Sequence, residues 1–211
     1  TAGQVDRATL GQDRARLRAD LLVPLLKAWA TDAGLEAASL GIQIHGGMGF
    51  IEEAGAAQHF RDARIAPIYE GTNGIQAADL VTRKLPLNSG AVFAALMADI
   101  RDEAADSDGL MQLVDACADV GRWMLSDARL DDRLAGSVPF CTMCAVAVAG
   151  WQMLRQKRSV DTAALAALAD VKPVTCDFFL AHIVPEATGL KSSAMAGSAL
   201  LYSLDAKQLG S

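Results

Sequence analysis

The chain has 211 residues, of which 52% are hydrophobic and 21% charged, with a formal net charge of −6. That composition belongs to a globular chain with core enough for one large domain or two smaller ones, and its negative charge excludes a nucleic-acid binder that works by neutralising phosphates. Only 5% of the residues are aromatic, a balance that favours helices over strands and predicts an all-α fold.

In chain order, Leu21, Leu22, Leu25, Leu26 and Trp29 recur at helical spacing. Pro24 is expected in the first turn of that helix, where a missing N–H is tolerated. Asp32 suits an N-cap, with Glu36 just beyond it, for a second helix over about Ala33 to His45 that stops at Gly46-Gly47. A third pattern runs from about Ile51 to Ala63, and Pro67 prevents its simple continuation. A fourth helix is expected near Asn73, where Asn73 and Gln76 have capping-box spacing.

Leu85-Pro86-Leu87-Asn88-Ser89-Gly90 is the clearest breaker cluster, and it separates a domain over residues 1–85 from a second over 91–205. In the second, Leu110, Leu113, Val114, Cys117, Val120, Gly121, Met124 and Leu125 make one apolar stripe opposite Asp115, Asp119, Arg122 and Asp127. Phe140 to Leu154 is apolar on nearly all sides, so neighbours must surround it. At about 15 residues it falls short of the ~20 needed to span a bilayer. Further helices over about Asp161 to Val184 and Glu186 to Leu204, disturbed by Pro173 and Pro185, complete an antiparallel bundle. The start of the chain carries no secretory signal. Cys141-Thr142-Met143-Cys144 lies inside an apolar run with no second pair and no nearby His. It therefore reads as buried free thiol, not as a metal or redox site, in a reducing compartment such as the cytoplasm.

The informative stretch is Gln43-Ile44-His45-Gly46-Gly47-Met48-Gly49-Phe50, followed about 20 residues on by Tyr69-Glu70-Gly71-Thr72-Asn73-Gly74. Closely spaced glycines let main-chain N–H groups approach a ligand. Gly71 to Gly74 leads into a helix N-terminus, where unpaired N–H groups favour negative charge. Both features suit a phosphate-bearing or electron-rich cofactor. Gly46-Gly47-Met48-Gly49 does not follow a strand, so a dinucleotide-binding βαβ unit is excluded. His45 reads as a structural histidine, and Arg61, Asp62 and Arg64 as an ion-pair network.

Gln-x-x-Gly-Gly-x-Gly-Phe from Gln43, Arg-Asp-x-Arg-Ile at Arg61 to Ile65 and Ile-Tyr-Glu-Gly-Thr at Ile68 to Thr72 together resemble the acyl-CoA dehydrogenase signature. The resemblance covers roughly Leu21 to Lys84. Residues from Ala91 to Leu204 resemble the helical domain appended to longer bacterial members, those acting on 3-methylthiopropanoyl-CoA among them.

The resemblance implies FAD as cofactor and α,β-dehydrogenation of an acyl-CoA thioester. Glu70 would be the base that takes the α-proton, its acidity tuned by a dry cleft. The thioester oxygen would be polarised by the Glu70 N–H and a flavin hydroxyl, as in an oxyanion hole. Gly71 would lie at the substrate, and Thr72, Asn73 and Gly74 at the flavin, although relatives often have glutamine where this chain has Gly74; Tyr69 reads either as a wall of the substrate cleft or as a core aromatic. Gln43, Gly46 and Gly47 would reach the flavin of a neighbouring subunit, which implies a homodimer at least. An electron-transfer flavoprotein would reoxidise the flavin. The rivals are an acyl-CoA oxidase and a non-catalytic helical interaction module. The family's other domains supply most flavin contacts, so these 211 residues alone are expected to bind FAD weakly or not at all.

Overall fold

The computed structural model describes residues 1–159 and 168–210. The helix expected over Asp161 to Val184 lies outside the described residues as far as position 167. Among the described residues every regular element is helical. The chain divides into two compact units, Thr1–Leu80 and Val81–Ser211.

The first unit is organised on one long helix. Helix α1 (Ala2–Thr9) precedes α2 (Asp13–His45), which is followed by α3 (Gly47–Phe50), a 3-10 turn (Glu52–Ala54), α4 (Ala56–Arg64) and α5 (Asn73–Asp79). At 1.5 Å per residue α2 is about 50 Å long, and α1, α3, α4 and α5 all pack against it. Its buried stripe comprises Ala15, Arg18, Ala19, Leu21, Leu22, Pro24, Leu25 and Ala28.

Here the structure corrects the expected break at Asp32. Asp32 is an exposed mid-helix residue, and Pro24 lies in the interior of α2, not in a first turn. An interior proline removes one helical hydrogen bond and crowds the preceding turn, at a cost of about 3 kcal/mol. Leu21, Leu22 and Leu25 around it are at most 7% exposed, and each buried leucine contributes roughly 1.5–3 kcal/mol. Burial of this stripe therefore outweighs the proline. The pattern over Ile51 to Ala63 also splits, because Gly55 at φ 75° ends the 3-10 turn and starts α4. The N-cap of α5 is Thr72, whose hydroxyl accepts the Ile75 N–H at 3.3 Å, one residue before the expected Asn73.

In the second unit a π-helical turn ending at Lys84 and a 3-10 turn (Leu87–Gly90) lead into α6 (Ala91–Glu103). Then come α7 (Asp108–Ser126), α8 (Leu130–Ala135), α9 (Ser137–Arg158), α10 (Val171–Phe178), α11 (Val184–Gly189), α12 (Lys191–Ala194) and α13 (Ala206–Leu209). The expected stripe of α7 is buried apart from Leu125 at its margin. Helix α9 is 22 residues long, which by length and composition alone is enough to cross a membrane. It is nevertheless largely buried against α6, α7, α10, α11 and α12, with Phe140, Met143, Cys144 and Ala147 fully enclosed. It is the core helix of this unit. Cys117, Cys141, Cys144 and Cys176 are buried free thiols, and burial pushes Cys144 and Cys176 up.

Pro173 falls in the first turn of α10, where it is tolerated, whereas Pro185 follows directly on a π-helical stretch (Phe179–Ile183) that joins α10 to α11, so the helical run is irregular there as expected. The single helix expected over Glu186 to Leu204 is instead broken into α11, α12 and a 3-10 turn (Ala199–Tyr202). Gly197 at φ 73° turns the chain, and Ser198 then docks on Asp132 through its N–H (2.9 Å) and hydroxyl (2.7 Å). This side-chain anchor competes with helix continuation.

Glu103 of α6 fastens onto α9. Its carboxylate accepts the Trp151 indole N–H at 2.9 Å and two Arg155 guanidinium N–H groups at 2.7 and 2.5 Å. The guanidinium stacks 3.9 Å above the Trp151 ring. The Arg155 hydrogen bond, supported by the Trp151 indole, lowers the Glu103 carboxyl from 4.5 to about 2. A carboxyl depressed in the folded state contributes stability above its unfolded value, lost as pH falls through the folded one. The window here runs from about 4.5 down to about 2. With the side chain 37% exposed, solvent screening keeps the contribution modest. Glu103→Gln is expected to lower the urea midpoint at pH 7 and to converge with the parent chain near pH 2, followed by far-ultraviolet circular dichroism. An equal gap at both pH values would contradict the clamp.

Candidate functional site

Residues 65–72 connect α4 to α5 and carry Tyr69, Glu70, Gly71 and Thr72 on an exposed loop. The loop is closed on itself by backbone bonds: Ile68 and Tyr69 N–H donate to the Ile65 carbonyl at 3.0 and 3.1 Å, and Asn73 N–H donates to the Pro67 carbonyl at 3.1 Å. Glu70 adopts φ 53° and Gly71 φ 86°. Glycine takes that region freely, whereas an L-residue pays roughly 1–2 kcal/mol there. Strain of this kind persists only where the surroundings over-determine it, and such residues cluster at functional sites.

The surroundings supply the constraint. The Glu70 carbonyl accepts from Gln76 Nε2 at 3.3 Å. Lys27 of α2 donates from Nζ to the Ala66 carbonyl (2.8 Å) and to Asn73 Oδ1 (3.2 Å), and lies 5.6 Å from the centroid of the Tyr69 ring. Asn73 Nδ2 donates to the Ala28 carbonyl and to the Thr31 hydroxyl, both at 2.9 Å. Thr31 in turn donates to the Lys27 carbonyl at 2.7 Å. Neither Lys27 nor Thr31 stands out in the sequence. The available signal was their i,i+4 spacing beside the buried Ala28, where polar groups need partners.

Asn73, expected at the flavin, is here drawn into contacts with α2. Its amide is engaged at both ends within the unit and its N–H goes to Pro67, so it has no donor to offer a cofactor. Two donors stay unused within the unit. Thr72 uses its oxygen to cap Ile75 and keeps its hydroxyl proton, and the Gly74 N–H has no acceptor among the described residues. The Glu70 N–H is likewise without an acceptor among the described residues. A Cβ on Gly74 would meet nothing closer than the Thr72 hydroxyl at 3.8 Å, so glycine at this position is not required by packing.

Gln43, Gly46 and Gly47 are exposed at the far end of α2. Gly46 ends the helix at φ 61°, ψ −142°, a conformation that needs glycine, and its N–H donates to the Gln43 carbonyl at 3.1 Å. Gly49 is different. It is buried, and a Cβ there would collide with the Ile42 carbonyl oxygen and stand 2.7 Å from the His45 Cβ. Gln43 lines a groove of about 700 Å³ with Ser39, Ile42, Phe50, Phe60 and Arg61, and Glu70 does not border it. Along α2, Gln43 lies 12–16 residues beyond Thr31 and Lys27, about 18–24 Å at helical rise. The two motifs therefore form separate patches. Arg61 pairs with Glu52 at 2.6 Å, so the expected network among Arg61, Asp62 and Arg64 reduces to a bridge with a residue outside that motif. His45 is exposed at the end of α2.

The sequence that forms these two units matches two family models. The description "Acyl-CoA dehydrogenase, C-terminal domain" matches residues 4–85, and "Acetyl-CoA dehydrogenase C-terminal like" matches residues 91–205. The chain belongs to the acyl-CoA dehydrogenase family. It is 38% identical to 3-methylmercaptopropionyl-CoA dehydrogenase of Ruegeria pomeroyi over 88% of its own length and 35% of that protein. A broad-specificity linear acyl-CoA dehydrogenase of Mycobacterium tuberculosis is 26% identical over 82% of this chain and 32% of its own. The short-chain specific mitochondrial acyl-CoA dehydrogenase of Homo sapiens is 48% identical over 30% of this chain and 17% of its own. The chain thus spans about a third of the length of the first two relatives.

Gly49→Ala is expected to destabilise the first unit by about 1–3 kcal/mol, the usual cost of overpacking, while Gly47→Ala, with nothing within 4 Å of the added carbon, changes stability far less. Equal denaturation midpoints for the two variants would contradict a packing role for Gly49.

Proposed function

We propose that this chain is the C-terminal part of a flavin-dependent acyl-CoA dehydrogenase, with Glu70 taking the α-proton of an acyl-CoA thioester. The observation that carries this proposal is the left-handed Glu70 on a loop tied to α2, with an unpaired N–H beside its carboxylate. A carboxylate is the acceptor, and a backbone donor next to it can polarise the thioester oxygen so that the α-proton becomes acidic. Gly71 is held to glycine by its φ of 86° and by Gln76 Nε2, 3.3 Å from where a Cβ would stand, and without a side chain it is assigned to the acyl group's side of the loop. Tyr69 is half-exposed beside it, available as a wall of the acyl site. Glu70 itself is exposed, so its desolvation must come from groups outside the first unit.

FAD, when bound, supplies the acceptor for the β-hydrogen. The residues here fit such a group through the Thr72 hydroxyl and the Gly74 N–H at the start of α5, and through Gln43, Gly46 and Gly47 at the end of α2. The separation of about 18–24 Å along α2 supports assigning the second set to the flavin of a neighbouring subunit, in a homodimer or larger assembly. An electron-transfer flavoprotein is the proposed oxidant of the reduced enzyme. The second unit is then an appended helical domain, and the parent enzyme a cytoplasmic one.

In the full-length enzyme, Glu70→Gln is expected to retain flavin while turnover falls by at least ~100-fold, the scale of losing a general base. Turnover at the parent rate would refute Glu70 as the base. The 211-residue chain alone is expected to leave gel filtration without flavin absorbance, and a stoichiometric yellow complex would contradict the division of cofactor contacts between this chain and the rest of the enzyme.

A further inference from the structure

We infer that Lys27 and Thr31 of α2, acting through Asn73, are positioning residues for Glu70, fixing the backbone from which its carboxylate reaches the substrate. The inference rests on the proposed role of Glu70 and extends it to residues outside the motif. Asn73 changes role with it, from cofactor contact to the hub of the clamp.

The geometry isolates the clamp as a unit. One ammonium group bridges the two ends of the Glu70 loop, with the Ala66 carbonyl at 2.8 Å on the incoming side and Asn73 Oδ1 at 3.2 Å on the outgoing side. Asn73 is then held to α2 a second time, through Nδ2 to the Ala28 carbonyl and the Thr31 hydroxyl. Only residues 67–72 hang between these anchors, and the Asn73 N–H closes them onto the Pro67 carbonyl at 3.1 Å. Within so short a span, the left-handed pair Glu70-Gly71 has few ways to satisfy both ends. Releasing one end restores the extended and right-handed conformations that a glutamate prefers. The carboxylate would then leave its working orientation without any change in its chemistry.

Charge makes Lys27 the stronger of the two anchors, because a charged donor to a carbonyl forms a shorter, stronger bond than a neutral one. The half-buried position of Lys27 limits competition from water. At this half-buried position a methionine keeps an unbranched apolar side chain while removing the ammonium.

The test uses the full-length enzyme with Lys27→Met, Asn73→Ala, the double variant, and Thr31→Val as the mildest change. For Lys27→Met, kcat is expected to fall by about 10–100-fold, the scale of an ångström-level misplacement, with KM for the acyl-CoA and flavin content within twofold of the parent. Asn73→Ala should act on the same step, and the double variant should be no slower than the slower single one. Thr31→Val should lie between the parent and Asn73→Ala. A merely structural role would instead lower flavin content and melting temperature together with kcat.

A second readout does not depend on turnover. In the 211-residue chain, amide hydrogen exchange over residues 65–73 should quicken in Lys27→Met, while α7 and α9 exchange as in the parent. Unchanged kcat together with unchanged exchange overturns the clamp. Faster exchange with unchanged kcat overturns the positioning role, and loss of kcat with unchanged exchange overturns the mechanism. Should Glu70→Gln keep parental turnover, the base assignment fails, and the exchange result still decides whether Lys27 holds the loop.

Discussion

The first unit depends on α2 running without interruption through Pro24. The proline costs about 3 kcal/mol in a helix interior, and the buried stripe around Leu21, Leu22 and Leu25 holds the helix together in spite of it. Continuity has a geometric consequence. One rigid rod presents Lys27 and Thr31 to the Glu70 loop, and Gln43 to a groove about 18–24 Å further along. A break at Asp32 would have let these two patches move independently. As one helix, they keep a fixed spacing, which is what two flavin contacts from different subunits would require.

The strained backbone at Glu70 belongs to the same arrangement. An exposed loop that could relax would place a non-glycine residue in a right-handed or extended conformation. Glu70 instead stands at φ 53° beside Gly71 at φ 86°, with hydrogen bonds to Gln76, Asn73 and α2 around it. The energy for this comes from ordinary interactions: a charged donor on a carbonyl, a satisfied amide and a capped helix. The second unit repeats the theme with different chemistry, where Glu103 ties α6 to α9 and Asp132 catches Ser198 to end the helical run.

Much of this was legible in the residues. The all-α class followed from composition, the buried face of α7 from periodicity, and the enclosure of α9 from its nearly unbroken apolar run, because burial acts on side chains whose pattern is visible. The helix end marked by glycine at Gly46 was also readable, whereas Gly55 breaks the pattern expected to run from Ile51 to Ala63. What could not be read was decided by competition between local signals and tertiary contacts. Asp32 has the chemistry of a cap, yet the helix around it is held by leucines and continues. Pro24 looks like a start, but packing carries it inside. Asn73 carries capping-box spacing, while Thr72 takes the cap and releases the Asn73 amide to α2. Glu186 to Leu204 reads as helix until Ser198 finds Asp132, a partner 66 positions away. For the site, the motif named Glu70 but was silent about Lys27 and Thr31. A lysine that bridges two acceptors looks the same in sequence as one that is solvated.

Glu70 thus enters as the central residue of the proposed chemistry, while its geometry is set by residues outside its motif. The most direct measurement is solvent deuterium exchange at the α-carbon of an acyl-CoA, followed by proton NMR with the full-length enzyme and its Glu70→Gln variant. The account predicts deuterium at the α-position with the parent enzyme and none above background with the variant. Equal exchange by both would contradict proton abstraction by Glu70.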